Sequence, residues 1–148
     1  MSSDNRHLVQ RLFNDLFNKG NLAVADEIIA PNHVNHDPAT PDFGKGPDGE
    51  KQIVTLYRKA FPDLHFTIDQ IIDADEFVTT RYTSTGTHKG ELRGIAPTNK
   101  AIRVEGMVIN RISRGRIAES WVNWDALGLM EQLGVVTALE KAKAQAAK

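Results

Sequence analysis

Residues 116–134 read RIAESWVNWDALGLMEQLG. The first nine alternate in character and the rest carry apolar side chains at helical steps, so a strand turns directly into a short helix. Ile117, Glu119, Trp121, Asn123 and Asp125 share one face of the strand; Ala118, Ser120, Val122 and Trp124 share the other. Asp125 stands at the junction, where an aspartate caps a following helix, and Gly134 closes that helix. The first face holds two carboxylates, an amide and an indole. A plain core face would be apolar, so this one is either wet or lines a pocket with a few fixed polar groups.

Upstream of Arg116 the strand pattern continues. Ser113-Arg114-Gly115 makes a tight turn, residues 100–112 (KAIRVEGMVINRI) alternate, and residues 76–87 (EFVTTRYTSTGT) are rich in β-branched and aromatic types. Residues 64–72 (LHFTIDQII) alternate as well and lead into an Asp73-Ala74-Asp75 turn. Before Pro62 the period becomes helical. Ile53, Val54, Tyr57, Ala60 and Phe61 form one stripe behind a cap at Asp48, and Val24, Ala25, Ile28 and Ile29 form another behind Asn21. Leu8, Val9, Leu12, Phe13, Leu16 and Phe17 form a third, started by Ser3 or Asp4 and ended at Gly20. Between these helices, residues 31–50 carry four of the six prolines and three glycines, which predicts an irregular functional loop.

Three helices, an antiparallel run and a last short helix predict an α+β fold rather than βαβ repetition. The chain has 148 residues, enough for one domain, which we place at 1–136 with an Ala- and Lys-rich tail at 137–148 that has helical propensity but little to bury. Hydrophobic residues make up 41% and charged ones 25%, a globular balance. The net charge of −1 gives no field for a polyanion, so neither nucleic acid nor membrane is an expected partner. No cysteine is present, which excludes thiolate catalysis and Cys-ligated metal. No apolar signal core or membrane-length run stands out, and a cytoplasmic location is the expectation.

The stretch Glu119–Gly134 closely resembles the C-terminal signature of the SnoaL-like polyketide cyclases. Gly86-Thr-His88-Lys-Gly90, Gly94-Ile-Ala-Pro-Thr98 and Arg114-Gly-Arg-Ile117 are similar to further parts of that family, and His33-Val-Asn-His36-Asp37-Pro38 matches its N-terminal half more loosely. The resemblance implies the ketosteroid-isomerase-like cone, a curved antiparallel sheet wrapped around N-terminal helices with one internal cavity. It also implies ring closure in a polyketide-like carbonyl compound by intramolecular aldol addition, with no metal or organic cofactor, and an acid/base aspartate at the position of Asp125. An aldol closure needs a proton taken from carbon beside a carbonyl and a proton given to the new alkoxide, and one buried carboxyl group serves both steps in turn. Asn123 would donate to the enolate oxygen and Trp121 would stack on a flat substrate. Asn123 stands where some relatives carry histidine; an amide orients an oxygen but shuttles no proton.

Other candidates have weaker signals. His33, His36 and Asp37 are metal-ligand types, but their loop setting favours pocket-lining or surface roles, so no metal is expected and His36 is taken as substrate-binding. His88, between strand and loop, is either at the cavity mouth or in a solvated turn. Arg81 would meet a ligand oxygen or, across the sheet, Glu105 or Glu119. Met107 and Tyr57 would line the pocket or belong to the core. Val104, Val108 and Val122 suggest a sheet face that packs on another subunit, giving a homodimer or homotetramer. Two other functions fit the same cone: a hydrolase or hydratase, and a non-catalytic module that binds a small hydrophobic ligand or drives oligomerisation.

Overall fold

The computed structural model describes residues 2–136 together with 145 and 146. Helix α1 (Ser2–Arg11) passes into a π-helical turn at Leu12–Asn18, and α2 (Ala23–Ile28) follows. Gly20 lies between them at φ +67°, where its lack of a Cβ allows the reversal. Next come β1 (Ile29–His36), α3 (Gly46–Ala60), β2 (His65–Ala74), β3 (Phe77–Thr87), β4 (Ala101–Ser113), β5 (Arg116–Trp124) and α4 (Ala126–Leu133). The sheet order is β1-β5-β4-β3-β2. β2 to β5 form an antiparallel meander, and β1 pairs with β5 in parallel.

The α+β expectation holds, with N-terminal helices against a five-stranded, mostly antiparallel sheet. Two local expectations are corrected. Residues 31–50 are not a single loop: 29–36 pair with β5, and α3 begins at Gly46. A short edge strand containing Pro31 has little alternation to betray it, and only the pairing with β5 orders it. Asp48 does not cap α3; Lys45 holds the cap position without a side-chain bond, and Pro47 lies in the first turn, where a missing N–H costs nothing. The proposed tail, apart from 145 and 146, lies outside the described residues.

Strand parity sorts the sheet into two faces. Ile102, Val104, Gly106, Val108, Asn110 and Ile112 of β4 are buried, and the residues between them are exposed or half-buried. On β5 the inward set is Ser120, Val122 and Trp124. The valines expected to meet another subunit therefore line the interior instead. The outward face carries Met107, Ile109 and Trp121, of which Ile109 and Trp121 sit opposite each other on neighbouring strands. α1, the π turn and α2 bury Val9, Leu12, Phe13, Leu16, Val24 and Ile28 against the inward face. No helix among the described residues is long and apolar enough to cross a membrane.

Candidate active site

Between the helices and the sheet lies a cavity of about 110 Å³, where a single water needs roughly 10–15 Å³. Its walls are mostly apolar. Phe13 and Phe17 of the π turn meet Phe66 of β2 at centroid distances of 5.7 and 5.0 Å, and Tyr82 of β3 closes the aromatic group against Phe13 and Phe66. The π turn is pinned there by Asn18, whose amide accepts from the Phe66 N–H and donates to the Phe66 carbonyl. Arg58 of α3 donates to the carbonyls of Phe17 and Asn18, groups that the helix end leaves free. Gly106 of β4, paired with Tyr82 on the neighbouring strand, leaves room for this arrangement. A Cβ there would meet Tyr82 Oη at 2.5 Å and Trp124 Cβ at 2.8 Å, closer than side chains pack.

Two carboxyl groups face this apolar space. Asp37 follows β1 directly and is held by four hydrogen bonds. Trp124 Nε1 donates to both its oxygens (3.2 and 3.1 Å), the Ala39 N–H to Oδ1 (2.9 Å) and the Thr40 hydroxyl to Oδ2 (2.7 Å). The single Thr40 hydroxyl proton is thereby spent, so the Tyr57 hydroxyl, 2.8 Å away, donates to Thr40. Glu50 stands on the apolar stripe of α3 with Ile53, Val54 and Tyr57, and it is buried. Its Oε2 has no hydrogen-bond partner. Burial, reinforced by the negative charge of Asp37, pushes the Glu50 carboxyl up to about 7. The same two influences raise the Tyr82 phenol, and burial raises that of Tyr57, so both remain protonated near neutrality.

A third polar group crosses from β1 to β4. His33 Nε2 lies 2.9 Å from Ser120 Oγ, and Ser120 donates to Asn110 Oδ1 at 2.5 Å. All three residues are buried, and Ser120 and Asn110 line the cavity. Burial drives the His33 imidazole down to about 4 against the raising influence of Glu119, so it is neutral at physiological pH.

The residues singled out in the sequence fall on both sides of the sheet. Tyr57 lines the cavity as expected. Asp125 does not: it is exposed, and its Oδ1 accepts the Gly128 N–H at 2.9 Å, capping α4. Asn123 and Trp121 share its parity and point outward, because on β5 the wet face is the polar one and the cavity takes Ser120, Val122 and Trp124. Met107, directly opposite Asn123, is outward and 52% exposed. Arg81 is outward too, 3.9 Å from Asp69 rather than paired with Glu105 or Glu119. His36 is exposed, stacked on Trp121 at 5.5 Å and bonded to Glu119 at 2.7 Å. His88 is fully buried, but in the 88–100 loop, where its Nδ1 meets the Thr98 hydroxyl and N–H. His33 and His36 contact opposite faces of β5, through Ser120 and Glu119, so they do not converge on one ion.

The comparison with known proteins agrees with this architecture. The family model of the SnoaL-like polyketide cyclases matches residues 7–133. The chain belongs to the SnoaL-like polyketide cyclase family. The nogalonic acid methyl ester cyclase of Streptomyces nogalater is 31% identical over 121 residues, 80% of this chain and 89% of that one. Among solved structures, TsrD from Streptomyces laurentii superposes with a TM-score of 0.82 at 24% identity, covering 92% of this chain and 98% of its own. IdmH from Streptomyces antibioticus gives 0.76 at 28% identity, covering 88% and 98%. This membership makes the chain a polyketide cyclase by family and a small polyketide the substrate class that the family implies.

Glu50, Trp124, Ser120 and Asn110 escaped the sequence reading as site residues, and Asp37 was noted there only among the metal-ligand types. Two signals were available. Glu50 interrupts the apolar stripe of α3, and Asn110 interrupts the apolar row of β4. A polar residue inside an apolar repeat is a better pointer to a cavity than a mixed face, which surface strands show routinely.

Proposed function

We propose that the protein closes a ring in a polyketide-like carbonyl compound by intramolecular aldol addition inside the cavity, with Glu50 as the group that takes and returns the proton. The observation that carries this reading is the buried Glu50 carboxyl on the cavity wall, with one oxygen unpartnered and its proton affinity set near neutrality. A carboxyl with a value near working pH is suited to give and accept a proton in one cycle.

The step balances without any co-reactant. Ionised Glu50 removes a proton from the carbon beside one carbonyl, and the released electron pair becomes the enolate. The enolate carbon attacks a second carbonyl carbon of the same molecule, forming the C–C bond and leaving an alkoxide. Glu50 returns its proton to that oxygen. The product is an isomer of the substrate, and no electron is gained or lost overall. Asp37, engaged by three donors through four hydrogen bonds, supplies a negative charge that raises the proton affinity of Glu50. The aromatic wall of Phe13, Phe17 and Phe66 holds a flat chain folded so that its reacting carbons meet.

The resemblance assigned the proton transfer to Asp125. That role needs its carboxyl at the substrate, whereas its exposed side chain is engaged by the Gly128 N–H. We therefore place the chemistry on Glu50 and leave Asp125 as the cap of α4. The test uses nogalonic acid methyl ester, the compound named for the 31% identical relative, with product followed by chromatography. Glu50→Gln keeps the size and removes the exchangeable acid. Turnover is expected to fall about 100-fold or more; a variant as active as the wild type would exclude Glu50 as the acid/base.

A further inference from the structure

Asn110 is an amide in a row that is otherwise apolar. Val104, Gly106, Val108 and Ile112 are its neighbours in phase on β4, all buried, and Asn110 itself is 0% exposed. It lines the cavity, and its Nδ2 has no partner. Leaving a buried donor unsatisfied costs about 1–3 kcal/mol, so its retention calls for an acceptor that arrives with the ligand.

The direction of the amide follows from its bond to Ser120. The 2.5 Å separation between Ser120 Oγ and the amide atom suits O–H···O and is too short for N–H···O. The amide oxygen thus faces Ser120, and the nitrogen is left over. Ser120 has one proton and spends it on Asn110, so it accepts from His33 Nε2. A neutral imidazole with its proton on Nε2 meets that demand. The chain of donors runs one way, from His33 through Ser120 to Asn110, and leaves the Nδ2 hydrogens as its free end.

We infer that Asn110 Nδ2 is a binding site for the carbonyl oxygen of the substrate and donates to that oxygen as it becomes the enolate. This rests on the aldol reading above and deepens it by naming the oxyanion donor. The ligand class is a ketone or ester whose oxygen only accepts. Because charge grows on that oxygen during proton removal, the bond strengthens toward the transition state, so loss of the donor lowers kcat more than it raises KM.

The test compares 1-indanone with indane, which has the same ring system without the oxygen, in the wild type, Asn110→Leu and Asn110→Val. Affinities are measured by calorimetry, and the carbonyl stretch of bound indanone by infrared difference spectroscopy. The wild type is expected to prefer indanone by about fivefold or more, a neutral hydrogen bond's worth. Both variants should lose that preference while binding indane within twofold of the wild type, and the carbonyl stretch should lie lower in the wild type than in either. Equal preference in the wild type and a folded variant overturns the inference, and so does a wild type that favours indane or binds neither compound. If neither variant folds, a carbonyl stretch in the wild type as high as in hydrocarbon solvent overturns it. Glu50→Gln separates the two readings: it should keep the indanone preference. Full cyclase activity in that variant would remove Glu50 as the acid/base and leave the Asn110 result standing.

Discussion

The negative charge of Asp37 bears on the buried carboxyl of Glu50, and with burial it carries Glu50 up to about 7. The two carboxyl groups reach this arrangement from separate elements, Asp37 from the end of β1 and Glu50 from the first half of α3. Three donors make four hydrogen bonds to Asp37, and none meets Glu50 Oε2. The difference in surroundings divides their roles: Asp37 is held in place by its hydrogen bonds, and Glu50 is a titrating group poised near neutrality.

Glu50 and His33 should pull the stability of the fold in opposite directions with pH. Glu50 titrates near 4.5 when unfolded and about 7 when folded, so its contribution is complete below 4.5 and is lost as pH rises through 7. His33 moves from 6.5 down to about 4, so its contribution is present above 6.5 and is lost as pH falls through 4. Between 4.5 and 6.5 the slopes oppose. Relative to the wild type, Glu50→Gln should gain stability as pH rises from 4.5 to 7, and His33→Asn should gain as pH falls from 6.5 to 4. Urea midpoints measured across this range check both signs.

Ser120→Ala should cost about 1–3 kcal/mol, because it orphans both His33 and the amide oxygen of Asn110 in the interior. An exposed serine on the same sheet, Ser113, should tolerate alanine within about 0.5 kcal/mol. The His33 tautomer offers an independent reading. In the wild type, nitrogen NMR should find the proton on Nε2 at pH 7.

Gly106→Ala should disturb the cavity more than its single methyl suggests. The added Cβ would press on Tyr82 and Trp124, and Trp124 holds Asp37. A loss of about 1–3 kcal/mol in stability is expected, together with a shift in near-ultraviolet circular dichroism from the displaced indole. Unchanged spectra and stability would show that the wall yields freely.

Much of the fold was legible because its elements carry regular periods. The alternation of β4 and β5 and the stripes of Leu12, Phe13 and Leu16 or Ile53 and Val54 each match an observed buried face. β1 was not legible, since a short edge strand with Pro31 and consecutive polar residues is ordered by its partner rather than by its own pattern. On β5 parity separated Glu119, Trp121 and Asn123 from Ser120, Val122 and Trp124, but a bulge puts Ile117 in the core rather than on the polar face, and parity does not say which face turns inward. Trp121 and Trp124 are both aromatic, and only the packing of α3 and α4 against β5 and β4 decides that Trp124 is inside. The capping role of Asp125 was visible from its place before Ala126, and Asp125→Ala should cost about 0.5–2 kcal/mol through that cap.

The most direct measurement is the pH dependence of kcat/KM for cyclisation in the wild type, Glu50→Gln and Asp125→Asn. Removal of a proton by Glu50 requires its ionised form, so the wild-type rate should rise with pH and level off above about 7. That limb should vanish in Glu50→Gln with most of the activity, whereas Asp125→Asn, which keeps a capping oxygen, should retain both. Loss of turnover in Asp125→Asn beside a near-normal profile in Glu50→Gln would contradict the assignment and return the proton transfer to the strand–helix junction.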